Sequence, residues 1–343
     1  MYSSHVVFVL LALPWVGLIG AVQAQESPAS TLPAAPAAEA PKSAYETVPA
    51  NKDNDLRIFY ADGHVLKGGD ALAKMNDDAN LSLWLAGNQF FAMADVIHAF
   101  QKKHPKMNVA VITLPPGIIL NAINKGGWNY QGKEYPMEPD VYASVNLEHL
   151  QKLKAKGKMA QYKLYLRNKL EMVVAKGNPK KIKKIDDLAR TDLRIMLPNP
   201  VTEGIMKFYI KKVLEQHGLW DKISGGKECK SCQATPQTYF TSVHHREIPD
   251  ALKAGTIDVG IVWASEIQHA KEEGIELQGV PLPPKDSLVL DAAYAIGPLV
   301  DAKHAKAASE YLAFLGTSAA QHAYAKHGFI KASKSDLKLR AIP

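Results

Sequence analysis

The chain is 343 residues long and 47% hydrophobic, enough apolar material for a large buried core and enough length for about two domains, which excludes a disordered chain. Lys and Arg number 41 against 34 Asp and Glu, a net charge of +7 that favours an anionic ligand or partner only weakly. Lys180, Lys181, Lys183 and Lys184 form a cluster with no interleaved aromatics and no nucleic-acid motif, so no nucleic-acid partner is expected and the cluster reads as solvated surface.

The first segment, from Val6 to Val22, is almost wholly apolar and leads into Ala21-Val22-Gln23-Ala24, a small-residue pattern suited to cleavage before Gln25. Residues 1–24 are therefore expected to be a signal peptide and the mature protein periplasmic. A basic n-region is missing, which leaves an uncleaved N-terminal anchor as the alternative. No cysteine near the cleavage site offers a lipid attachment point. Residues 25–50 are rich in Ala, Pro and Ser without apolar period, the composition of a flexible linker. Residues 56–79 have mixed polarity and a Gly68-Gly69 break, and give no assignable pattern.

From Asn80 onward, strand and helix signals alternate. Strand 81–86 is followed by a Gly87-Asn88 turn and a helical period through Phe90, Phe91, Ala94, Ile97 and Phe100; strand 108–113 leads through loop 114–117 into a short helix. Strand 141–144 and a helix from Asn146 follow, then strands 171–175 and 193–197, and a helix over 203–216 stopped by Gly218. A helix at 248–254, strand 259–263, strand 288–296 and helices at 302–315 and 319–327 complete the series. Such alternation predicts α/β layers with a mainly parallel sheet in each. Ligands of such sheets gather at the carboxyl ends of strands, beside helix N-termini.

No nucleophile elbow, Walker loop, HExxH helix or GxGxxG fingerprint is present. No catalytic residue, metal ligand or cofactor is therefore assigned, and the chain is not read as an enzyme. The candidate binding residues lie on strand-end turns, each with a plain structural alternative. Gly87, Asn88 and Gln89 could donate to an oxygen-bearing ligand or simply cap a helix. Pro116 and Gly117 form a stiff turn open to close backbone approach. Asn168 and Lys169 supply an amide and a cation near a crossing between lobes, or surface charge. Val201 and Thr202 precede the longest helix, where Thr202 could cap it while neighbouring N–H groups face a cleft. Trp263 ends an apolar strand and either fills core or walls a pocket. Cys229 and Cys232, the only cysteines, are expected to pair locally in an oxidising compartment; metal ligation with His244 and His245, or a redox dithiol, are the alternatives.

Three passages give the chain a resemblance: Val201-Thr202-Glu203-Gly204-Ile205 running to Leu219-Trp220-Asp221-Lys222, then 254–266, then 302–329 with Tyr324, Gly328 and Phe329. Residues 80–331 resemble the periplasmic molybdate-binding proteins and their wider relatives, the type II solute-binding proteins of ABC transporters. The resemblance implies a two-lobed α/β periplasmic binding protein type II fold with a hinge, lobe one comprising 80–164 plus 288–343 and lobe two 165–287. It implies capture of a small ligand, an oxyanion by preference, with contacts at Gly87, Asn88, Pro116, Gly117, Asn168, Lys169, Val201, Thr202 and Trp263. An inner-membrane ABC permease would be the partner of a monomeric receptor. Serine is absent from the first two turns and Trp263 stands where the family carries tyrosine, which makes the site poorer in hydroxyls and argues against molybdate itself. The loop 229–237 and the His244-His245 pair lie outside the family pattern and leave room for a larger organic ligand or a metal complex. The competing reading is a periplasmic accessory or sensory protein.

Overall fold

A computed structural model describes residues 43–50, 52–242 and 245–343. The expected signal peptide, the linker as far as residue 42, and His244 lie outside the described residues.

The described residues form two large sheets and one small one. In the first lobe the strands run, edge to edge, Ile330–Lys331, Gln161–Arg167, Ala293–Pro298, Val141–Ser144, Leu81–Ala86, Val109–Leu114, Leu56–Phe59 and Val65–Lys67, with Arg340–Ala341 also paired to Gln161–Arg167. The second lobe is ordered Cys232–Gln233, Thr238–Phe240, Ile195–Leu197, Val259–Trp263, Leu170–Ala175, Leu277–Pro281. A small sheet of Glu46–Thr47, Gly127–Tyr130 and Lys133–Pro136 flanks the first lobe.

Pairing is mixed rather than mainly parallel. Parallel pairs occupy the centre of each sheet, Val141–Ser144 with Leu81–Ala86 and Val109–Leu114 in one, Thr238–Phe240 with Ile195–Leu197 and Val259–Trp263 in the other. The flanks are antiparallel. Between the lobes, Gln161–Arg167 of one sheet feeds into Leu170–Ala175 of the other across only Asn168-Lys169. Residues 165–167, assigned from sequence to the second lobe, thus pair in the first lobe's sheet. The chain returns between Pro281 and Ala293, and the two crossings touch where Asn168 N–H donates to the Ala292 carbonyl at 2.8 Å.

Side-chain alternation builds the first lobe's core on both faces of the sheet. Leu81, Leu83 and Leu85 pack on one side with Met93, Val96, Ile97 and Phe100, the inward stripe of helix Met93–Gln101; Trp84 packs on the other with Leu72, Met75 and Trp128. Burial on both faces explains why strand Val109–Leu114 is apolar almost without interruption. Residues 56–79 supply a hairpin and helix Gly68–Asp78 that extend this lobe. The strand expected over 288–296 begins only at Ala293, because Leu288 has φ of 51° and breaks extended backbone.

Candidate functional site

Strand Leu81–Ala86 passes directly into a tight helical turn, Gly87–Ala92. A Cβ on Gly87 would sit 3.3 Å from the Leu114 carbonyl carbon and 3.4 Å from Thr113 O, so glycine lets this turn lie against the end of the neighbouring strand. Asn88 donates through Nδ2 to the Tyr294 hydroxyl, and Gln89, fully buried, accepts from Tyr165 Oη at 2.6 Å and Tyr324 Oη at 3.1 Å. The Asn88 amide nitrogen and the Gln89 amide oxygen are thus engaged by tyrosines of the first lobe, whereas Gln89 Nε2 is buried without a hydrogen-bond partner among the described residues. Pro116 starts helix Pro116–Lys125, its carbonyl accepting from Tyr142 Oη at 2.9 Å, and Gly117 is exposed.

At the crossing, Asn168 is buried and donates from Nδ2 to Ser265 Oγ at 2.9 Å and to Tyr294 Oη at 3.3 Å. Tyr294 therefore ties the first turn, through Asn88, to the crossing and to the second lobe. Lys169 turns to Glu171, 2.5 Å away.

The second lobe gathers polar groups at the carboxyl ends of its three parallel strands. Asn199, just beyond Ile195–Leu197, accepts through Oδ1 from Val201 N–H at 3.1 Å, Thr202 N–H at 2.8 Å and Thr202 Oγ1 at 2.9 Å. Asn199 rather than Thr202 organises the helix start, and the side chains of Val201 and Thr202 are exposed. The buried carboxylate of Glu203 accepts from Asn199 N–H at 3.1 Å, from Thr241 Oγ1, and from both the N–H and Nδ1 of His245, each at 2.6 Å. His245 Nε2 meets Glu266 Oε1 at 3.0 Å. Burial opposes a charge on this imidazole, but Glu266 and Glu203 outweigh it and hold the pKa at about 9. For Glu266, burial pushes the carboxyl up, but the charge and hydrogen bond of His245 together with the charges of Arg246 and His269 outweigh it, leaving it below its ordinary value. Trp263 is 4% exposed within the second lobe's core, its ring edge-on to Tyr209 at 5.0 Å. Tyr209 in turn donates to the Val145 carbonyl of the first lobe at 2.9 Å.

Cations converge beside the Gly87 turn. Arg246, next to the His245 network, donates from Nη2 to Gly87 O at 3.3 Å, and its guanidinium lies 5.3 Å from the Phe90 ring and 4.9 Å from Phe91. Arg57, on strand Leu56–Phe59, lies 4.4 Å from the same Phe90 ring and donates to Phe90 O. Lys52 pairs at 3.7 Å with Asp55, which accepts from Thr113 Oγ1 at 3.1 Å. Burial depresses Lys52, and depresses Arg57 to about 10, with Asp55 opposing in both cases; burial also raises Asp55. Arg57 comes from residues 56–79, which gave no assignable sequence pattern, and Lys52 and Asp55 lie just before it. Arg246 directly follows the His244-His245 pair but carries no signal of its own in the sequence, and Glu203 and Thr241 gave none as a pair.

Cys229 and Cys232 form a disulfide beside the second lobe's core. Among the described residues no group of three His, Cys, Asp or Glu side chains has the geometry to hold a metal.

The sequence profile of bacterial extracellular solute-binding proteins matches residues 81–330. The sulfate-binding protein of Synechococcus elongatus is 28% identical over 165 residues, 46% of this chain and 45% of the relative. The thiosulfate-binding protein of Escherichia coli is 29% identical over 202 residues, 54% of this chain and 59% of the relative. The chain thus spans about half the length of these curated relatives. The periplasmic molybdate-binding protein of Azotobacter vinelandii superposes with a TM-score of 0.56 at 15% identity, over 74% of this chain and 100% of the other, and shares the two-lobed fold. With most of its length covered by that profile, both lobes included, the chain belongs to the family of bacterial extracellular solute-binding proteins.

Proposed function

We propose that the protein is a periplasmic receptor that closes its two lobes around a small anion and delivers it to an inner-membrane ABC permease. The observation that carries this reading is the meeting of cations from both lobes at one turn: Arg57 and Arg246 approach Phe90 from different lobes, and Arg246 reaches across to Gly87. Glu266 Oε2 stands 4.0 Å from Arg246 Nε and Asp55 lies among the other cations. A further anion held between the lobes adds attraction to Arg57 and Arg246 that exists only in the closed form, and so supplies the differential binding that closure needs. The sulfate- and thiosulfate-binding relatives support an oxyanion as the ligand class. The lobes move as bodies about Asn168-Lys169 and the return crossing near Ala292.

Thermal-shift and calorimetric titration of the mature protein with sulfate, thiosulfate, molybdate and phosphate tests this reading. A saturable rise in melting temperature with at least one of them is expected. A flat response to all four would overturn it.

A further inference from the structure

The carboxylate of Glu203 is held as a bound ligand would be. It lies where the three parallel strands of the second lobe end: Asn199 follows Ile195–Leu197, Thr241 follows Thr238–Phe240, and Glu266 lies in the helix after Val259–Trp263. One oxygen takes Asn199 N–H at 3.1 Å and the Thr241 hydroxyl; the other takes the N–H and Nδ1 of His245, both at 2.6 Å. The donor set comprises two backbone N–H groups, one hydroxyl, one imidazolium and, at 3.4 Å, the Nδ2 of Asn199, drawn from Asn199 on one segment and Thr241 and His245 on another. Such a set is the chemistry of an oxyanion site: rigid neutral donors with a balancing positive charge, at strand ends in an α/β sheet.

We propose that the second lobe contains an anion cradle occupied by the protein's own Glu203 carboxylate, and that this resident group keeps free oxyanions and carboxylates out of it. The assignment is independent of which anion the cleft takes. It deepens that reading in one respect, since the cleft's ligand then meets the second lobe through Arg246 rather than through the donors around Glu203. Charge accounts for the arrangement. Glu203 and Glu266 flank His245, so the imidazolium is already balanced; removal of Glu203 leaves the Nδ1–H and backbone N–H of His245 and the Thr241 hydroxyl facing the space of a carboxylate, while Asn199 N–H keeps Thr241 Oγ1 at 3.0 Å.

The test is chemical rescue. Glu203→Ala empties the cradle, whereas Glu203→Gln fills it with an uncharged isostere. Wild type and both variants are titrated with sulfate and with acetate, following melting temperature and circular dichroism. Glu203→Ala should melt lower than wild type and gain, with either anion, a rise exceeding the wild-type response by about 5 °C near hundredfold saturation. Glu203→Gln should respond as wild type does. If Glu203→Ala folds only when sulfate or acetate is supplied, that too supports the cradle. The proposal is overturned if Glu203→Ala responds no more than wild type, if it stays unfolded with and without anions, or if Glu203→Gln gains the same response. The wild-type titration alone reports on the cleft, so failure of the receptor reading and failure of the cradle are read from different samples.

Discussion

Arg246 Nη2 stands 3.3 Å from the carbonyl oxygen of Gly87, so a guanidinium of the second lobe is fastened to the turn that ends the first lobe's central strand. Replacing it with methionine keeps much of the contact with Phe90 and Phe91 but removes the charge. Anion affinity should fall by about 10- to 150-fold, the value of a hydrogen bond from a charged donor. Arg246→Lys, which keeps the charge without the planar fork, should retain part of it. Calorimetric titration with sulfate measures both, and equal affinities in all three proteins would remove Arg246 from the site.

The Glu203–His245–Glu266 network makes stability depend on pH in a defined direction. The folded-state pKa of His245, about 9, lies above its ordinary value of 6.5. The native state therefore binds more protons than the unfolded state between those values. This contribution is fully present below about pH 6.5 and is lost as pH rises through about 9. Urea unfolding of wild type and His245→Gln across that range should show a steeper alkaline loss in wild type. Parallel pH profiles would contradict the assignment.

Trp263 separates packing from ligand contact. Its ring lies in the second lobe's core beside Tyr209, although the family resemblance places this strand end at the ligand. Truncation to alanine should cost about 3–5 kcal/mol of stability, whereas phenylalanine should cost much less. Tyr209→Phe removes only the hydroxyl that reaches Val145 and should loosen the contact between lobes by about 0.5–1.5 kcal/mol. Denaturant unfolding measures the first pair, and the apparent affinity for sulfate measures the third.

The Cys229–Cys232 disulfide closes a very short loop ahead of the pairing between Cys232–Gln233 and Thr238–Phe240. A loop this short removes little chain entropy, so Cys229→Ser together with Cys232→Ser should cost no more than about 2 kcal/mol. A loss well beyond that, measured by denaturant unfolding, would mean that the bridge holds the strand in place.

Legibility in the sequence followed the range of the interactions. The Gly87 turn and helix Met93–Gln101 could be read because a strand, a glycine and a 3.6-residue apolar stripe are local signals. Glu203 and His245 meet only because Ile195–Leu197 and Thr238–Phe240 pair in register, which no local pattern encodes. Thr202 reads as a cap from its position, yet Asn199 has the side chain placed to take both N–H groups. Asp55 and Arg57 sit in short elements, Asp53–Asp55 and Leu56–Phe59, whose role depends on docking against Thr113 and Phe90.

The hairpin Leu56–Phe59 with Val65–Lys67 covers the open side of Val109–Leu114, yet both strands precede the region shared with the family. Trimming the protein to that shared region would bare a six-residue ribbon, Val-Ala-Val-Ile-Thr-Leu, with no charge, proline or glycine to protect it. Such a segment is a template for intermolecular strand addition and amyloid-like stacking. Expression of a fragment beginning near residue 80 should therefore give inclusion bodies, the hairpin acting as a guard of this strand against self-association.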